Sequence, residues 1–414
     1  MRPILISTAA AAALATLAMA QTPRYTVIDL GTLGGTSSIA FGLNGVGRAA
    51  GAANLANGNQ HAFLAGIAGN TDLGTLGGPN SNEGGLNSSD QLAIFSETAL
   101  KDPNGEDFCA YGSHLVCVPA VWNGAMKALP MLGGNNGQAL AINERGQVAG
   151  IAETATKDST CLAPNQVLRF EAALWSASGQ VQELPPFPGD TVGFALGMNN
   201  NGLVVGSSGT CDNTTVVGLE LGPRAVLWDN GTPIDLGSLG GTMANTAAAV
   251  NDAGVVVGGS DLASEMPGYP GVQVHGFLWT KSGGMQDMGT VGQDFSSLPT
   301  AINNKGQVTG MSCDDQGNCR AFLWQGGVMS DVNSLVPADA PLYLVMPLAI
   351  NDSGTIAGMA VVTSTGDVHA FVAVPVAGSA VAPKLEPEAA RLTRPMPLPE
   401  SARRLIRRLP ARGW

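Results

Sequence analysis

Past the first two dozen residues, hydrophobic positions come in runs of three to six, cut by Gly, Asn, Asp and Pro, with no helical spacing. Such runs with turn residues between them predict short antiparallel strands. Residues 248–250 and 255–258 flank a turn from Asn251 to Gly254. A third run covers 276–279, and a fourth covers 285–288 after Ser282-Gly283-Gly284. A Gly that ends so tight a turn supplies the positive φ a hairpin needs. The third run is nearly continuous in apolar residues, as a strand reads when both its faces are covered.

This four-run grammar repeats. The turn in Ala141-Ile142-Asn143-Glu144-Arg145-Gly146-Gln147-Val148 returns at Asn199, Asn251, Asn303 and Asn351, and in weaker form at Asn44 and Asn87, 43 to 56 residues apart. A second phrase follows each turn: His61-Ala62-Phe63-Leu64, Pro119-Ala120-Val121-Trp122, Ala172-Ala173-Leu174-Trp175, Ala225-Val226-Leu227-Trp228, His275-Gly276-Phe277-Leu278-Trp279, Arg320-Ala321-Phe322-Leu323-Trp324 and His369-Ala370-Phe371-Val372. A third, acidic-Leu-Gly, is clearest from Asp29, Asp72 and Asp235, with looser versions at Leu129, Glu183, Asp287 and Asp331.

Seven units of about 50 residues with four strands each predict an all-β fold, a seven-bladed β-propeller of four-stranded antiparallel blades. The third phrase is offset. Residues 25–30 read as a fourth strand with no unit ahead of them, and residues 369–374 as a third strand with no fourth behind. A closed ring in which the N-terminal strand completes the last blade cures both defects, whereas an open stack would need capping repeats. Pro130, Pro185, Pro186 and Pro233 lie in or beside fourth segments, which places those strands at the outer edge.

The repeated phrases resemble the HAF family of probable extracellular repeats, named for the His-Ala-Phe motif, over nearly all of residues 25–374. The resemblance implies export and repetition and no established activity.

Met1-Arg2, the apolar stretch from Ile4 to Leu17 and Ala18-Met19-Ala20 read as a signal peptide over 1–20. The propeller is expected over 21–376, in the periplasm or outside the cell. Beyond the leader no apolar run is long enough to span a membrane. In an exported chain, Cys109, Cys117, Cys161, Cys211, Cys313 and Cys319 favour three disulfides over zinc, there being no Cys-x-x-Cys. The expected pairs are 109–117, 161–211 and 313–319, all in long loops between second and third strands.

Charge narrows the partners. The net value is −12, and residues 21–374 hold 29 acidic against 11 basic side chains. A body without a basic stripe excludes nucleic acid, which needs Lys and Arg to displace counterions. The last stretch, 377–414, is basic and interrupted by Pro383, Pro387, Pro395, Pro397 and Pro399, so it is expected to be a flexible extension.

Long loops in compact folds commonly carry function. Many carboxylates share them: Asp102, Glu106, Asp107, Glu153, Asp158, Asp212, Asp261, Glu265, Asp314 and Asp315. The plain expectation is that they solvate the surface. Asp314-Asp315-Gln316-Gly317-Asn318 lacks the alternation and terminal Glu of a calcium loop, and no metal or cofactor is expected. His61, His275 and His369 read as framework at a strand entrance, while His114 near Tyr111 stands outside the repeat. The recurring Trp residues read as packing between blades rather than a sugar platform. The leading expectation is a binding or cell-surface interaction module for a glycan or extracellular protein, with Tyr111, His114, Asp158, Asp212, Asp314 and Asp315 as contacts. The alternatives are an enzyme acting on extracellular polysaccharide through Asp190 and Asp294, expected near the channel mouth, and a structural envelope component. No G-x-S-x-G elbow or H-E-x-x-H helix supports nucleophilic or metal catalysis.

Overall fold

The computed structural model describes residues 25–67, 69–163, 166–214, 222–263, 273–376 and 394–406. The expected leader, Glu265 and most of the stretch 377–414 lie outside the described residues.

Strand β1 (Tyr25–Gly31) opens the described chain. Unit I then runs β2 (Gly34–Leu43), β3 (Ala49–Leu55), β4 (Gln60–Leu64) and β5 (Thr71–Asp72). Unit II is β6 (Gly77–Leu86), β7 (Leu92–Lys101), β8 (Leu115–Trp122) and β9 (Met126–Ala128). Unit III is β10 (Gly133–Ile142), β11 (Val148–Lys157), β12 (Leu168–Trp175) and β13 (Val181–Leu184). Unit IV is β14 (Val192–Met198), β15 (Val204–Gly209), β16 (Arg224–Asp229) and β17 (Thr232–Asp235). Unit V is β18 (Gly240–Val250), β19 (Val256–Leu262), β20 (Val274–Thr280) and β21 (Gly284–Asp287). Unit VI is β22 (Ser296–Ile302), β23 (Val308–Cys313), β24 (Cys319–Gln325) and β25 (Val328–Asp331). Unit VII has β26 (Leu342–Ile350), β27 (Ile356–Val362) and β28 (Val368–Pro375).

The fold is all-β. Units II to VI are separate four-stranded sheets, each antiparallel in chain order. Units I and VII share an eight-stranded sheet through the single parallel pair Ser37–Val368. The vacant edge of unit VII is taken by β1, antiparallel to β28 with Tyr25 opposite Pro375 and Val27 opposite Ala373. Fourth strands form one edge of each sheet, which is where Pro233 sits without breaking a ladder.

Small side chains let neighbouring sheets approach. Ala141, Ala149 and Ala172 of unit III pack on Ala195, Val226 and Trp228 of unit IV. Ala40, Ala49 and Phe63 of unit I pack in the same way on Ala357, Ala370 and Val372 of unit VII. The Phe of the third strands (Phe63, Phe277, Phe322 and Phe371) is fully buried, contributing about 2–3 kcal/mol each.

First strands carry a bulge just ahead of the Asn turn, as between Ala40 and Gly42 or Ala247 and Ala249. Opposite it the second strand needs glycine. A Cβ on Gly258 would run into the carbonyl oxygen of Thr246, and one on Gly310 into that of Leu298. The bulges aim seven first strands at one cavity of about 180 Å³, lined by Phe41, Leu86, Ile142, Met198, Val250, Ile302 and Ile350 among others.

Among the described residues no helix is long and apolar enough to cross a membrane.

Candidate functional site

The two ends of the sheets are built differently. One end carries only short turns. Each turn Asn is buried, and its Oδ1 accepts the backbone N–H two and four residues on, as Asn251 does from Ala253 and Val255. Its Nδ2 donates to the backbone carbonyl of the next turn Asn: 87 to 143, 143 to 199, 199 to 251, 251 to 303 and 303 to 351. Asn351 donates to the Asn44 carbonyl at 3.0 Å, joining the last unit to the first. The link from Asn44 differs: it donates to Asp90, which Arg48 also engages.

The other end carries longer connections, described over 102–114, 158–163, 166–167, 210–214 and 222–223. Strands β7 and β11 run on to ten residues each toward this end. The three disulfides join the expected pairs, Cys109–Cys117, Cys161–Cys211 and Cys313–Cys319. Two placements differ from expectation. Cys117 lies within β8, and Cys313 and Cys319 face each other across a short β23–β24 turn.

Several carboxylates expected merely to solvate these loops are instead buried and bonded. Glu106, fully buried, accepts the N–H groups of Val167 (2.5 Å) and Leu168 (2.8 Å) from the neighbouring unit. Glu153, also fully buried, accepts from Asn135 N, Asn136 N and Nδ2, and Gln166 Nε2. Asp102 accepts the N–H of Asn104 and Glu106 and the Nδ2 of Asn136. A loop backbone brought out of water must find partners, and these side chains supply them. Burial first, and the nearby Glu106 charge second, push Glu153 up to about 8 despite its donors. Glu171 is likewise pushed up to about 8, by burial and then by Glu183, with Arg169 opposing.

The expected contact residues fall into two groups. His114 is exposed at φ +54°, and its Nδ1 donates to the Gly105 carbonyl at 2.8 Å. Asp212, exposed, accepts from Thr210. Tyr111 is turned inward beside Cys109 and Phe108, its hydroxyl 3.4 Å from Gln60 Nε2. Burial and the Glu97 charge raise its pKa well above the ordinary phenol value. Asp158 caps its own loop through Thr160. Burial pulls its pKa up, but bonds from Thr191 and Thr160 and the Arg169 charge prevail and lower it. Asp314 folds onto Gln316 N, Asn318 N and Asn318 Nδ2, which closes the turn, while Asp315 is exposed beside it.

Asp190 and Asp294 are not brought together. Asp190 is bonded to Ser208 and paired with Arg224 of unit IV. Asp294 holds Arg320 of unit VI through two bonds of 2.8 and 2.9 Å. Burial alone would lower the Arg320 pKa, but the Asp294 bonds and charge outweigh it and keep the guanidinium protonated. Each carboxylate is thus committed to an arginine rather than set toward a cleft.

The remaining histidines are framework. His61 pairs with Asp72, His275 with Asp287 and His369 with Asp29, at 2.8 to 3.0 Å. In each pair the Asp also caps the N–H two residues on, as Asp29 caps Gly31, which explains the acidic-Leu-Gly phrase. Trp175 and Trp228 are buried, their indole N–H donating to the carbonyls of Pro130 and Pro185.

The C-terminal stretch departs from a free extension. Over 394–406, Leu398, Ala402 and Ile406 are buried against Ile39, Met346 and Val361. The short helix Glu400–Ile406 is held by Arg403, which donates to Asn318 Oδ1 (2.6 Å) and the Gln316 carbonyl, and by Ser401, which donates to the Gly366 carbonyl. Apolar side chains spaced along the basic segment drive this docking onto the loop end of units VI and VII.

No family model matches the chain, and no curated protein matches it. Solved structures do resemble it. A puromycin-hydrolysing peptidase of Mycobacterium tuberculosis is 11% identical over 85% of this chain and 56% of that one, with a TM-score of 0.44. The β-propeller domain of the Trilobed protease from Pyrococcus furiosus is 8% identical over 85% and 95%, with a TM-score of 0.44. The tricorn protease is 12% identical over 62% and 24%, with a TM-score of 0.34. The chain spans just over half the length of the first and about a quarter of the last. Repeated four-stranded sheets are what this chain has in common with β-propeller domains.

Proposed function

We propose that the chain is an exported, HAF-type repeat protein, a closed seven-bladed β-propeller that acts as a binding or cell-surface interaction module through its long second-to-third-strand loops. Three features support closure: β1 on the edge of β28, the Asn351-to-Asn44 bond, and one cavity faced by seven first strands. Disulfides and the lack of a long apolar helix among the described residues fit export.

The observation that carries the binding reading is the wiring of three consecutive long loops into one surface. Glu106 ties the loop of unit II to unit III, and Cys161–Cys211 with the Thr160–Cys211 bond ties unit III to unit IV. Preorganised loops bind without meeting the ordering cost at the moment of contact. The polysaccharide-enzyme reading loses ground because Asp190 and Asp294 are each paired with arginine.

The test is a glycan and cell-envelope-protein array on the full chain, followed by His114→Ala with Asp212→Ala. A hit weakened tenfold or more by the pair supports the module, whereas hits indifferent to the pair overturn the loop surface. Glycan turnover abolished by Asp190→Asn or Asp294→Asn would establish the enzyme instead.

A further inference from the structure

The short-turn end holds a cleft unrelated to the loop surface. It lies between units III and IV, has a volume of about 310 Å³, and is lined by the turn residues Arg145, Gln147 and Asn201, by Gln182 of β13, and by Asn230 of the β16–β17 turn, with Trp228 among its apolar floor. A Cβ on Gly146, Gly254 or Gly354 would touch Gln91, Leu203 or Gln307 of the preceding turn, whereas one on Gly47, Gly202 or Gly306 would meet nothing within 4 Å. Gln91 and Gln307 thus reach the following turn, and Gln147 does not reach Gly202.

The lining has a distinct chemistry. It holds one arginine and no carboxylate, in a body that is otherwise strongly acidic. Arg145 is exposed and makes no ion pair among the described residues. Gln147 Oε1 is occupied by Asn143 Nδ2, which directs the Gln147 Nε2 protons outward, and Asn201 Nδ2 is spent on the Asp252 carbonyl, which leaves its Oδ1. Carboxamides that both donate and accept match vicinal hydroxyls, the guanidinium matches a carboxylate, and the half-buried Leu174 offers an apolar edge to a sugar ring. The volume is at the low end for small-ligand sites. It fits one or two saccharide units and not a folded partner.

We infer that this cleft binds an acidic saccharide, with a uronate carboxylate on Arg145 and ring hydroxyls on Gln147, Gln182 and Asn201. The site is independent of the loop-end reading and stands on other residues.

The test is calorimetric titration of the full chain with a galacturonate trisaccharide, the neutral galactose trisaccharide, and an acetylated tripeptide with a free C-terminus. The expected result is binding of the acidic sugar alone, weakened at least tenfold by Arg145→Ala, about threefold by Gln182→Ala, and by added salt, with His114→Ala without effect. Arg145→Gln serves in the same role if the alanine variant melts early. No binding of the uronate at millimolar concentration, binding indifferent to both Arg145 variants, or stronger binding of the peptide would each overturn the proposal.

Discussion

The two ends of the sheets solve one problem, satisfying backbone where the chain reverses, by opposite means. At the short-turn end a single residue type does it by repetition. Asn offers an acceptor to its own turn and a donor to the next, so one side chain stabilises two units. Asp could cap the turn but has no donor to pass on. At the loop end the described connections use several devices: disulfides, a buried glutamate receiving two N–H groups, and a C-terminal helix laid across two loops. Periodic bonding gives uniformity, and bespoke bonding allows the loops to differ in length and charge.

The sharpest way to break the contrast is Cys161→Ala with Cys211→Ala. Closing 50 residues makes that crosslink worth about 4 kcal/mol, against about 2 kcal/mol for Cys313–Cys319. Denaturant midpoints of the two double variants should differ accordingly, and equal losses would mean that the loop end is held by its buried carboxylates.

Next comes Asn251→Asp, which keeps the cap, removes the donor to Asn303 and sets a buried carboxylate oxygen against the carbonyl that received it. The expected loss is about 2 kcal/mol. The same change at Asn44, which donates to Asp90 rather than to a backbone carbonyl, should act differently by placing two carboxylates side by side. Thermal melts of both variants compare them directly.

The smallest effect concerns pH. Glu153 has a folded pKa raised toward 8, so the folded state holds a proton that the unfolded chain releases near 4.5. Stability from this group is full below about pH 4.5 and declines as pH rises toward 8. Between pH 6 and 7 the decline is about 1 kcal/mol for one proton, and Glu153→Gln should flatten it. An unchanged slope in the variant would show that Glu171, also pushed up to about 8, carries the effect.

The strand order, the offset of the first acidic phrase and the disulfide pairs were legible because each follows from local pattern or from loop adjacency. The roles of Glu106 and Glu153 were not. In sequence they are loop acids like Asp107 and Asp212, and only the approach of residues 166–168, from the neighbouring unit for Glu106 and from its own unit for Glu153, buries them. Tyr111 and Asp158 read as contacts from composition, yet one packs beside a disulfide and the other caps its own turn. The C-terminal segment misled through its prolines and arginines. Its Leu398, Ala402 and Ile406 gain burial from residues more than thirty positions away, which no local rule registers.

By itself the sequence dictated the repeat: where strands start and stop, which glycines must turn, and which sheet faces must be covered, since period and turn chemistry are local. Tertiary structure alone decided which polar side chains are buried, which carboxylates meet arginine, and where a seam between two sheets stays open. Those outcomes depend on distances between units, and distance across a seam leaves no period in the chain.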